Sequence, residues 1–127
     1  MIKKVIHTDK APGAIGPYSQ AVVVGNLVFI SGQISIDPLT SQLDNQSIEK
    51  EIYRVFNNLK AICEACGASI NNIVKLNLYL TDLSFFNLVN QIMSEFFAEP
   101  YPARAAVQVS ALPKGVNFEA EAVLQLN

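Results

Sequence analysis

At 127 residues the chain has the length of one domain, residues 1–127, and can bury a core without disulfide help. Half of it is hydrophobic and only 16% is charged, with nine Lys+Arg against eleven Asp+Glu, so no basic stripe exists for nucleic-acid phosphates and nucleic acid is excluded as the main partner. No segment approaches the roughly 20 apolar residues of a membrane span and the apolar run behind Lys3-Lys4 is too short for a signal peptide, so the expectation is a cytoplasmic protein whose greasy composition, mean hydropathy +0.27, is hidden in a homo-oligomer.

Residues 2–7 read as a short first strand, followed by a loop through Pro17. Two β-branched runs, 21–24 and 27–30, flank Gly25-Asn26, a dipeptide suited to a tight II′ turn, and this is the clearest hairpin in the chain. Residues 31–36 continue extended up to Asp37-Pro38, and 39–45 form a polar loop. From Ser47 the period changes to helical: Ile48, Ile52, Val55, Phe56, Leu59, Ile62, Cys63 and Cys66 fall on one stripe, and Gly67 is a natural C-terminal stop. Residues 73–80 alternate as a strand buried on one face. Asp82 or Ser84 then caps a second helix that carries Phe86, Val89, Ile92, Met93, Phe96 and Phe97 inward and ends before Pro100. Two strands close the chain, one around Arg104 and one over 118–126, with Pro113-Lys114-Gly115 turning between them. The order β-β-β-α-β-α-β-β predicts an α+β fold, one sheet with two helices on one face. The other face needs cover, which three copies closing around a common axis would supply.

Chemistry-bearing residues are few. Cys63 and Cys66 form a CxxC, but both sit on the core stripe at the helix C-terminus, where the dipole disfavours a thiolate, so packing is their expected role. Two cysteines and the single His7 fall short of the four ligands of a metal site. Arg104 is the lone cation of an uncharged strand, with the small Ala106 beside it on the same face; its planar donor fork matches a carboxylate or phosphate, whereas the plainer reading is a solvated arginine at a strand start. Glu119 and Glu121 share a face of the last strand, either as a solvated edge or with one of them a general base whose pKa is raised by partial burial. A simple hairpin of the last two strands pairs Gln108 with Glu119 and leaves Arg104 roughly 13 Å further along. Pro17 restrains the backbone presenting Tyr18, and Gly32, after Ser31, permits either a β-bulge or a close approach.

Four stretches together resemble the RidA family of reactive-intermediate imine deaminases, also known under an older ribonuclease label. They are Ala14-Ile15-Gly16-Pro17-Tyr18-Ser19-Gln20-Ala21, Phe29-Ile30-Ser31-Gly32-Gln33-Ile34, Tyr101-Pro102-Ala103-Arg104, and Leu112-Pro113-Lys114 with Glu119-Ala120-Glu121-Ala122. The resemblance implies a chorismate-mutase-like fold, a barrel-like homotrimer with clefts between subunits, and cofactor-free hydrolysis of 2-imino acids such as 2-iminobutanoate and 2-iminopropanoate to 2-oxo acids and ammonia. Carried over by position, it implies that Arg104 clamps the substrate carboxylate, Glu119 holds or activates water, and Tyr18, Ser31 and Gly32 line the site. At Ala106 many relatives have cysteine, so a ligand contact there is from backbone. The rivals to catalysis are a non-catalytic module binding a 2-oxo acid or similar carboxylate, and a chaperone-like role for the apolar surface. Endoribonuclease action suits an acidic chain with one histidine poorly.

Overall fold

The periodicities of the sequence become elements in the computed structural model, which describes residues 3–127. The strands are β1 (Lys4–Ile6), β2 (Ala21–Val24), β3 (Leu27–Gln33), β4 (Ile73–Leu80), β5 (Ala103–Gln108) and β6 (Phe118–Gln125), and the helices are α1 (Ile48–Ala65) and α2 (Phe86–Phe96). Their order is the expected one; Ile2, expected to open the first strand, lies outside the described residues. In the β2–β3 hairpin Gly25 takes a φ of +62° and Asn26 does not cross to positive φ, as a II′ turn requires.

The six strands form one mixed sheet in the order β1-β2-β3-β6-β4-β5. Neighbours run antiparallel except β4 and β5, which are parallel. The expected hairpin of the last two strands is therefore not formed: β4 lies between β5 and β6. Two causes favour this arrangement. The connection from β4 to β5 contains α2, long enough for the crossover that parallel pairing needs. Leu76, Leu78 and Leu80 give β4 a wholly buried row fit for an interior strand, whereas β5 carries Arg104 and Gln108 and suits an edge.

Both helices cover one face of this sheet. On α1 the side chain of Ser47 accepts from the Lys50 N–H at 3.1 Å, Gly67 (φ +77°) follows the end, and Ile52, Val55, Phe56, Leu59, Ile62 and Cys63 are buried against the sheet. Asp82 caps a short 3₁₀ turn, Leu83–Phe85, that leads into α2, whose Val89, Ile92 and Met93 are buried. Phe56 stacks with Phe96, Phe97 and Phe118 at ring separations of 5.4, 6.0 and 5.7 Å, which ties α1 to α2 and β6. The opposite face is uncovered: Val5, Val22, Phe29 and Val123 occupy one rung across β1, β2, β3 and β6, and Val5 and Phe29 are about half exposed.

β3 ends at Gln33, earlier than the extended run predicts, with a register shift against β6 between Ile30 and Gln33. Beyond it the chain is braced by Asn58, whose Nδ2 donates to the carbonyls of Ile34 and Ile36, and by Arg54, which reaches Asp37 and Asp44 at 3.7 and 3.3 Å. The start of β6 is pinned from the helix side. The buried Glu51 carboxylate accepts from the Asn117 N–H at 2.9 Å and from its Nδ2 at 2.8 Å, and Thr81 Oγ1 is 3.0 Å from Asn117 Oδ1. Glu51→Ala orphans these donors, so thermal denaturation is expected to show a loss of about 1–3 kcal/mol, several degrees in Tm; an unchanged Tm refutes the pinning.

Candidate active site

Strand parity on β6 puts Glu119 and Glu121 on the uncovered face, opposite the bulge of β3. The Glu119 carboxylate packs against Gly32 where a Cβ would crowd its Oε2, so the missing Cβ lets the carboxylate take this position, and a side chain at 32 would turn it aside. The bulge and the close approach foreseen at Gly32 are thus one feature. Ser31 Oγ donates to the Ser19 carbonyl at 2.5 Å and the Ser31 N–H to the Gln20 carbonyl at 2.9 Å. The buried Gln20 amide holds the preceding loop by bonds to Thr8 and Pro12. The result is a cleft of about 560 Å³ lined by Pro12, Ile15, Tyr18, Ser31, Gly32, Ile34, Pro113, Glu119 and Glu121 among others. Burial, and after it the charge of Glu121, raises the Glu119 pKa above the ordinary carboxylate value. Four of the residues singled out in the sequence, Tyr18, Ser31, Gly32 and Glu119, meet here.

Arg104 lies elsewhere. It projects from edge strand β5 toward α2, where Nη1 donates to Asn90 Oδ1 at 2.6 Å and the guanidinium carbon stands 5.0 Å over the Phe86 ring. Met93 Sδ is 3.6 Å from the same nitrogen. Among the described residues the remaining guanidinium N–H groups have no protein partner, and they face a cleft of about 490 Å³ lined by Asn90, Met93, Ser94, Tyr101, Pro102 and Arg104. The arginine is exposed, but its fork is held by Asn90 and the Phe86 ring, and among the described residues no carboxylate neutralises it. Ala106, two residues on, packs partly buried against the core and lines neither cleft.

The hairpin expected from the sequence pairs the strands of Arg104 and Glu119 directly, with Arg104 roughly 13 Å further along; the structure corrects that pairing, since β4 lies between them. Arg104 shares a rung with Leu76, and Glu119 shares one with Tyr79. Leu76 and Tyr79 are three apart on β4 and point to opposite faces, so within one chain the guanidinium and the carboxylate are on opposite sides of the sheet, their backbones roughly 14 Å apart. Asn90 and Phe86 were missed by the sequence reading, which took Phe86 as an inward core residue. The available signal was their i, i+4 spacing, which puts a lone amide on an otherwise apolar helical stripe. Cys63 is in the core with its pKa pushed up to about 12 by burial, and Cys66 is raised for the same reason. His7 is exposed and 3.1 Å from Asp9, away from both clefts. No group of three or more His, Cys, Asp or Glu that could hold a metal ion occurs among the described residues.

A six-stranded mixed sheet backed by two helices, with a guanidinium beside a cleft on one side and a half-buried carboxylate in a second cleft on the other, defines an α+β protein. Its relatives identify the family. The family described as endoribonuclease L-PSP matches residues 8–125. The RidA crystal structure from the Antarctic bacterium Psychrobacter sp. PAMC 21119 superimposes with a TM-score of 0.94 at 54% identity, covering 97% of this chain and 99% of that one. Human 2-iminobutanoate/2-iminopropanoate deaminase is 48% identical over 97% of this chain and 90% of its own length. E. coli TdcF, solved with bound serine, is 41% identical with a TM-score of 0.93, covering 98% and 99% of the two chains. The chain belongs to this endoribonuclease L-PSP, or RidA, family, and has its fold. Some relatives of similar identity carry only the RutC family name.

The raised pKa of Glu119 has a sign that can be measured. Its neutral form favours the fold, a contribution complete below the ordinary glutamate pKa of about 4.3 and lost as pH rises through the raised folded value. Glu119→Gln is therefore expected to melt above wild type at neutral pH, with the gap closing as pH falls toward 4; a gap independent of pH rules out burial of this charge.

Proposed function

We propose that this protein hydrolyses reactive 2-imino acids, the class of 2-iminobutanoate and 2-iminopropanoate, to 2-oxo acids and ammonia. The observation that carries the reading is the anchored guanidinium of Arg104, held by Asn90 and Phe86 with donors left over, together with a half-buried carboxylate of raised pKa on the other side of the sheet. The guanidinium fork binds the substrate carboxylate, and the protonated C=N carbon is already electrophilic. Glu119 accepts a proton from water as its oxygen adds to C2 and passes it to the carbinolamine nitrogen; it then takes the hydroxyl proton as the C2 carbonyl forms and the C–N bond breaks, and that proton leaves with ammonia as ammonium, so the cycle needs no cofactor. Proton transfer of this kind is worth roughly 10²–10⁴-fold. Tyr18 and the Ser31-Gly32 bulge line the same cleft beside the reacting carbon.

Because the two groups lie on opposite faces, the reading requires a second copy of the chain. A homotrimer closing on the uncovered face would bury the Val5, Val22, Phe29 and Val123 rung and set Arg104 of the partner subunit at the mouth of the Glu119 cleft. The deaminase name of relatives 43–48% identical supports the reading, as does TdcF's bound serine, which shares the carboxylate and C2 nitrogen of an imino acid. Serine has no C=N bond to hydrolyse, and that favours a second reading in which the same cleft only binds small amino or oxo acids. Thermal stabilisation by 2-oxobutanoate without imine turnover would select it.

Two experiments test the proposal. With 2-iminobutanoate generated from threonine by a dehydratase, release of 2-oxobutanoate above the spontaneous rate is expected to fall on the order of 10- to 100-fold in kcat/KM for both Arg104→Ala and Arg104→Lys, since lysine keeps the charge and loses the fork. Glu119→Gln is expected to fall roughly 10²–10⁴-fold; undiminished Arg104→Ala activity removes the clamp. Co-expressing Arg104→Ala with Glu119→Gln chains at equal levels is expected to restore about a quarter of wild-type activity by random assembly, because one site in four then draws both intact residues from different subunits. No recovery, or a monomeric mass in solution, refutes the shared site.

A further inference from the structure

Tyr79 and Glu121 have no step in the mechanism above, yet both stand beside Glu119. On the uncovered face Tyr79 is directly across from Glu119 on the neighbouring strand, and Glu121 follows Glu119 by one pleat on the same strand. The Tyr79 phenol does not turn to Glu119. It leans diagonally along the sheet and donates to Glu121 Oε1 at 2.6 Å, the short length of a hydroxyl bonded to a carboxylate.

We infer that Glu121, pinned by the Tyr79 hydroxyl, is a positioning residue for Glu119: its carboxylate is held in place so that its negative charge makes Glu119 the better proton acceptor during hydrolysis. The inference rests on the proposed role of Glu119 as the base. Two residues along a strand separate backbones by about 7 Å, and between groups held in a partly desolvated cleft the charges act at far lower effective dielectric than in water. A glutamate free to rotate would carry its charge into solvent, where counterions screen it. Pinning prevents this.

On the same face of β4, Asn77 is directly across from Glu121 and Lys75 lies one pleat further, across from Val123. β3 faces Glu119 with Ser31 and Gly32, the N-terminal loop with Tyr18, the turn before β6 with Pro113, and β4 with Tyr79; among the described residues no Lys, Arg or His lines the cleft. In the proposed assembly the added cation is Arg104 of the partner subunit, common to wild type and variants. The bond to Glu121 pushes Tyr79 up to about 12, so the phenol stays a donor through neutral pH and is not a rival base. Glu119 is shifted upward by burial and then by Glu121, in the sense that the geometry requires.

The test compares wild type, Tyr79→Phe and Glu121→Gln, both substitutions nearly isosteric. The Glu119 titration is read directly from its ¹³C-carboxyl resonance, and the pH profile of imine hydrolysis is recorded in parallel. The expected result is a lower Glu119 midpoint in both variants, larger in Glu121→Gln, with the acid limb of kcat/KM moving down alongside it. A plain cross-strand hydrogen bond would lower Tm and leave the midpoint where it is, and that outcome overturns the inference. A midpoint that moves supports it whether or not turnover is seen; if all three proteins, wild type included, then fail to release 2-oxo acid, the deaminase reading alone is refuted.

Discussion

The central constraint is strand parity on β4. As an interior strand flanked by β6 and β5, it transmits its two-sidedness to both neighbours, so every rung that buries a leucine also commits its partners to the helix side. Arg104 shares a rung with Leu76 and must face α2; Glu119 shares a rung with Tyr79 and must face away. A one-residue slip would exchange these assignments and expose the core, which is why the register is firmly held. The separation of the two charged groups follows from core packing and not from any local feature of either residue.

Each group is then prepared by neighbours that differ in kind. At Arg104 the preparation is positional: a ring beneath it and an amide beside it hold the fork without neutralising its charge. At Glu119 it is electrostatic. A bulge, a residue without Cβ and a roofing loop draw the carboxylate partly out of water, and a second carboxylate adds repulsion. Such an arrangement disfavours the charged fold slightly, a cost that a purely structural glutamate at an exposed strand face would not incur. The uncovered apolar rung beside this cleft points the same way, since a sheet face of that composition is stable when another surface covers it.

Much of this was readable from residue order. The Gly25-Asn26 turn, the capped α1 stripe and the alternation of β4 and β6 are local patterns whose physics acts within a few residues, and they appear where periodicity places them. The meeting of Tyr18, Ser31, Gly32 and Glu119 was legible only through family resemblance, because residues 18 and 119 are distant in the chain. Glu51 was not legible: on the sequence it is one more acid in the first turns of a helix, and it is buried only because Asn117 brings donors to it from the far end of the chain. Phe86 followed the apolar rule inward in the sequence reading, but the edge position of β5 leaves it half-buried beneath a guanidinium.

By itself, then, the sequence determined which residues form strands and helices and which face of each strand is apolar, since these depend on period and residue type. Only the tertiary structure decided that β4 separates β5 from β6. Strand neighbours are chosen by burial summed over the whole sheet and by the reach of the α2 crossover, quantities that no local window contains, and that choice places the arginine and the glutamate on opposite faces.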